Sequence, residues 1–141
     1  VHRANAASRL DDYSEVNIGR LALGATLSAV DYIDALRVRR DLVDKVNAVL
    51  SRYDALLTAT VLKPAPRLDD IANPMGTSSP MQTTPFNVTG HPAMSMPVAL
   101  SSEGLPLAVQ IVARPFDEAT ALRVGRAIEQ RSTWTSMNPP M

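Results

Sequence analysis

The clearest periodicity along the chain lies between residues 28 and 53, where Tyr32, Leu36, Val43, Val46 and Leu50 recur at helical spacings with charged residues between them. Ser28 reads as an N-cap, and Asp31 stands where a carboxylate favours the free N–H groups of a first turn. The run Ala55-Leu56-Leu57-Thr58-Ala59-Thr60-Val61 is too short for a second helix before Pro64 and Pro66, and it predicts a strand over 55–61. Two further apolar runs, 93–100 and 105–113, are joined through Ser101-Ser102-Glu103-Gly104 and predict an antiparallel strand pair over 93–113. Asp117 then caps an amphipathic stretch carrying Leu122, Gly125 and Ile128, which predicts a helix over 117–131. Between them, residues 62–85 hold Pro64, Pro66, Pro74, Pro80, Pro85 and Gly76, the composition of a long loop. The elements add up to an α/β fold with the strands in one mixed sheet and both long helices packed on it, because apolar strands need cover on both faces.

Composition narrows the class further. With 45% hydrophobic and 20% charged residues, and Lys+Arg and Asp+Glu both at 14, the chain is that of a globular protein with no excess of positive charge for nucleic acid. The densest basic group, Arg37, Arg39 and Arg40, falls on the predicted long helix and is expected to form a solvated face. No apolar run approaches the roughly 20 residues that cross a bilayer, so no membrane partner is expected. Cysteine is absent, which removes thiol nucleophiles, disulfides and thiolate metal ligands and is compatible with a reducing, cytoplasmic setting. Val1 stands where an initiator Met would be, and the expectation is a fragment or a processed chain.

Three segments in fixed order carry a resemblance: Asp54-Ala55-Leu56-Leu57-Thr58-Ala59-Thr60; Pro85-Phe86-Asn87-Val88-Thr89-Gly90-His91-Pro92-Ala93-Met94-Ser95-Met96-Pro97; and Gly104-Leu105-Pro106-Leu107-Ala108-Val109-Gln110-Ile111-Val112. Together they resemble the C-terminal part of the amidase-signature family, and the likeness extends back through Gly24 and the helix holding Tyr32, Ala35 and Arg39, and forward through Phe116, Asp117 and Glu118. Ala59 departs from a usual Pro and Ala108 from a frequent Gly. The resemblance implies a three-layer α/β/α fold with a mixed sheet, of which residues 1–141 are a C-terminal portion. It also implies amide hydrolysis through an acyl-enzyme formed by a Ser, cis-Ser and Lys set whose members lie upstream, with a missing N-terminal portion as partner and a small-molecule amide as substrate.

The residues at hand do not rebuild that chemistry. A serine hydroxyl needs a base to become a nucleophile, and the only lysines are Lys45, mid-helix, and Lys63. Lys63 with Ser78 and Ser79 imitates a Ser-Ser-Lys set, but Gly76-Thr77-Ser78-Ser79-Pro80 lacks the run of glycines that presents N–H donors to an oxyanion. His91 stands four residues before Ser95, but no nucleophile-elbow sequence surrounds that serine, and the histidine reads as a partly exposed or hydrogen-bonded loop residue. With His2 as the only other histidine, no metal site is expected, and no cofactor.

Asn87, before Thr89-Gly90, is expected mainly to pin a loop by side-chain to backbone bonds. Substrate contact is expected along the loop and its margins, from Thr60, Met75, Met81, Thr83, Phe86 and Asn87, with the methionines supplying an adaptable apolar wall. The leading expectation is therefore scaffold and pocket wall for an amidase, with self-association through uncovered apolar surface. The alternative is a free-standing, non-catalytic α/β binding module derived from an amidase.

Overall fold

A computed structural model describes residues 2–67, 69 and 82–133. The chain begins with helix α1 (Arg3–Ser8), a 3-10 turn (Leu10–Asp12) and helix α2 (Glu15–Ala25). It continues through α3 (Ala29–Leu50), β1 (Ala55–Ala59), α4 (Thr84–Thr89), β2 (Ala93–Leu100), β3 (Pro106–Ala113) and α5 (Glu118–Glu129). The caps are side chains close to where helix-start chemistry puts them. Ser14 accepts from Asn17 N–H, Ser28 from Asp31 N–H and Asp117 from Thr120 N–H, each satisfying a first-turn donor that has no partner inside its helix.

The strands form one sheet in the order β1-β3-β2. Both pairings are antiparallel, with Leu57 opposite Ile111 in one and Met94 opposite Ile111 in the other, so among the described residues the expected mixed sheet consists of antiparallel neighbours only. The hairpin between β2 and β3 closes through Ser101, whose Oγ accepts from Glu103 and Leu105 N–H while its own N–H donates to Leu105 O.

Because side chains alternate across a strand, the register fixes two faces. One carries Ala55, Met94, Met96, Val109, Ile111 and Ala113 and is covered by Ala121, Val124 and Ile128 of α5. Gly125 makes that approach possible, since a methyl built there would stand 2.7 Å from Met94 Cε. The other face carries Thr58, Gln110, Val112 and Ser95.

The long helix departs from expectation in its packing. Rather than lying across the sheet, α3 packs against α4 and is held at its C-terminal end, where Arg114, just past β3, donates to Leu50 O and Tyr53 O. Leu50 is buried there, while Val30, Ile33, Leu36 and Val38 remain exposed. A side chain that leaves water must meet another surface, and the bonds of α3 to Val88, His91 and Arg114 run from Arg39 to Leu50, towards its C-terminal end.

Candidate functional site

The face of the sheet away from α5 is unusual for its polarity. Thr58, Gln110 and Ser95 stand on one rung across β1, β3 and β2. Gln110 is 3% exposed. Burying an amide without partners is costly, and here both hydrogens of Nε2 are committed, one to Thr58 Oγ1 at 3.0 Å and one to Gln82 O at 3.2 Å. On the same face the hydroxyls of Thr60, just past β1, and of Ser95 on β2 meet at 3.2 Å across β3. Thr60 N–H donates to Ala108 O, so the small Ala108 side chain lies beneath that meeting.

The segment held by Gln110 leads directly into α4. Thr83 is its N-cap residue, and its carbonyl accepts from Phe86 and Asn87 N–H without help from its hydroxyl. Phe86 is buried and Asn87 exposed. The helix ends at Gly90, whose φ of 76° places it in the left-handed region that a side chain would strain. Residues 84–90 are thus a short helix and its cap, in place of the loop expected up to residue 85. Asn87 also departs from expectation: its side chain makes no hydrogen bond among the described residues and pins nothing.

Three other side chains do the pinning. Arg39 Nε donates to Val88 O at 2.6 Å, so Arg39 is not merely part of a solvated face. His91, 6% exposed, is bonded through Nδ1 to Thr89 Oγ1 at 2.9 Å and through Nε2 to Asn47 Oδ1 at 3.1 Å. In the neutral ring, a proton on Nε2 suits the acceptor Asn47 Oδ1 and leaves Nδ1 to face the Thr89 hydroxyl. Burial pushes the His91 pKa below its ordinary value, which favours this neutral form. A cleft of about 540 Å³ opens beside these contacts, lined by Arg39, Phe86, Asn87, Glu118 and Phe116. Phe116 is 95% exposed and has a φ of 62°, a strained conformation for an aromatic residue.

The sequence-predicted residues are divided between these places. Thr60 lies on the polar sheet face, Thr83 joins that face to α4, and Phe86 and Asn87 line the cleft. Met75 and Met81 lie outside the described residues. Sequence reasoning misses Thr58, Ser95 and Gln110, although one signal points to the last of them: Gln110 is the single polar residue within the apolar run 107–113. Lys45 and Lys63 are both exposed, and among the described residues no three His, Asp or Glu side chains gather as metal ligands. Among those residues, too, no helix is long and apolar enough to cross a membrane.

The amidase family model matches residues 3–122. The chain belongs to the amidase family. It is 37% identical over 121 residues to a glutamyl-tRNA(Gln) amidotransferase subunit from Thermotoga maritima, a match covering 84% of this chain and 25% of that protein. It is 36% identical over 118 residues to a fatty acid amide hydrolase of Medicago truncatula, covering 78% of this chain and 19% of the relative. The crystal structure of the Thermotoga maritima protein superposes with a TM-score of 0.72 at 34% identity, over 96% of this chain and 32% of that one. The chain therefore spans a third or less of the length of these amidase relatives.

Proposed function

We propose that this chain is the C-terminal portion of an amidase, that it cleaves no amide by itself, and that it supplies scaffold and one wall of the acyl pocket to a Ser, cis-Ser and Lys site located upstream. The observation that carries the reading is the polar sheet face. A sheet covered by α5 on one side presents Thr60, Ser95 and Thr58 on the other, and the same face holds the segment with Thr83 and Phe86. Hydroxyls on rigid strands, beside the short helix that carries Phe86, suit the wall of a small-molecule pocket. The relatives' much greater length leaves room for a nucleophile, a base and oxyanion donors in the remainder. A small aliphatic or aromatic amide as substrate, a cytoplasmic setting and self-association through the uncovered apolar surface of α3 belong to the same proposal.

The wall comprises Thr60, Thr83, Phe86 and Asn87, together with Met75 and Met81 from the sequence that precedes them. The test is the relative kcat/KM for amides of graded acyl length, measured on the chain assembled with its upstream portion. Met81→Ala and Thr83→Ala should reorder the series while leaving the melting temperature nearly unchanged. An unaltered ranking in correctly folded variants would remove these residues from the wall.

A further inference from the structure

We infer that Gln110 is a positioning residue that sets acyl selectivity through the backbone of Gln82; the selectivity part rests on the pocket-wall reading of Thr83 and Phe86. A buried amide in the middle of β3 is a poor choice for packing alone, since an aliphatic residue of similar size would fill the space without a desolvation cost. Its geometry gives it another use. The Nε2 hydrogens reach in two directions, to a side chain on the neighbouring strand and to a main-chain carbonyl outside the sheet. The bond to Thr58 Oγ1 fixes the orientation of the amide, and the bond to Gln82 O uses that orientation to fix where the chain enters α4.

Gln82 lies one residue before the N-cap Thr83, whose carbonyl starts α4 by accepting from Phe86 and Asn87 N–H. A helix of six residues has little stability of its own and depends on how its ends are held. At its far end it is held by Arg39 on Val88 O and by Gly90 N–H on Phe86 O. At its near end, the bond to Gln82 O joins the segment to the rigid central strand. Movement there would carry Thr83 and Phe86 with it, and displacements of an ångström at a pocket wall change which acyl groups fit.

Hydrogen exchange on the chain, with Gln110→Met and Gln110→Glu variants, tests the link without any need for turnover. Methionine keeps the shape and removes both donors; glutamate has at most one O–H to donate and cannot keep both bonds. Both variants should speed exchange at Phe86, Asn87 and Gly90 by about tenfold while β2, β3 and α5 keep their protection. Unchanged exchange at those three amides overturns the inference. So does a loss spread evenly over the whole sheet, which would make Gln110 an ordinary core residue.

The selectivity half is read on the assembled enzyme, where Gln110→Met should shift the kcat/KM ratio between short and long acyl amides by about fivefold. A ranking that responds to Thr83→Ala but not to Gln110→Met overturns the role of Gln110. A ranking that responds to neither shows that the pocket-wall reading itself has failed.

Discussion

His91 and Asn47, 44 residues apart, join β2's approach to the long helix through a bond from Nε2–H to Oδ1 at 3.1 Å. The second ring nitrogen is bonded to Thr89 Oγ1 at 2.9 Å, so the imidazole is held on both sides. Its folded pKa lies below the ordinary 6.5 because burial disfavours the cation. As pH falls through 6.5 the unfolded chain takes up a proton that the folded chain resists, so this group costs stability at acid pH and none above neutrality. Urea unfolding at pH 7.5, 6.5 and 5.5 should show a decline with a slope of no more than about 1.4 kcal/mol per pH unit from this one proton. His91→Gln should flatten that part of the decline. Asn47→Asp should reverse it, because a carboxylate against Nε2–H favours the charged ring.

At the opposite face of the sheet, the limiting contact is between Gly125 and Met94. A methyl at Gly125 would lie 2.7 Å from Met94 Cε and 3.0 Å from its Sδ, well inside contact distance. Gly125→Ala gains about 1 kcal/mol of helix propensity and loses about 1–3 kcal/mol to overpacking, which the flexible methionine end can partly relieve. The expected net effect is a loss of about 1 kcal/mol. Shortening Met94 to alanine removes the clash, so the double variant should show coupling of about 1 kcal/mol in thermal or urea unfolding. Strict additivity would mean that α5 does not press on β2 at this point.

How much of this is legible in the sequence depends on whether local chemistry or long-range geometry decides a feature. The caps of α3 and α5 follow from Ser28 and Asp117, and the β2–β3 hairpin follows from Ser101 to Gly104 between apolar runs. Helix α2 is hidden, because Gly19 and Gly24 interrupt its pattern, though Ser14 offers a cap. Helix α4 is too short to show a period, and its one helix signal, Pro85 in the first turn, also reads as a loop residue. The family resemblance rests on ordered motifs and points to the segment around Thr83 and Phe86. It cannot reveal that Gln110 reaches Gln82 O, a contact across 28 residues that depends on the sheet register.

Arg39 gives a third test, of the coupling between α3 and α4. Its Nε donates to Val88 O at 2.6 Å across 49 residues, in a contact fixed by the planar guanidinium. Arg39→Ala should cost about 1 kcal/mol and raise exchange at Gly90 N–H, whose bond to Phe86 O closes the helix. Arg39→Lys should behave like the alanine variant, because a terminal ammonium on a flexible stem lacks a donor at the Nε position. Full rescue by lysine would show that positive charge near the end of α4 matters more than the bond.

The last expectation concerns activity of the chain alone. Acyl transfer from an amide needs a nucleophile, a base to activate it and donors for the developing oxyanion, and removing one of them ends the covalent route. Among the described residues, the only histidines are His2 and His91, and His91 has both ring nitrogens occupied by Thr89 and Asn47. Lys45 and Lys63 are both exposed. Ser95 is bonded to Thr60, with neither lysine nor histidine among its partners in the described residues. The purified chain should therefore hydrolyse short aliphatic and aromatic amides no faster than buffer, and should gain activity when combined with an upstream amidase portion. Lys63→Ala and Ser79→Ala, the second outside the described residues, complete the test on chain of verified mass. Turnover that either substitution abolishes would mean that the Lys63, Ser78 and Ser79 set is a working site and that this chain is an enzyme unaided.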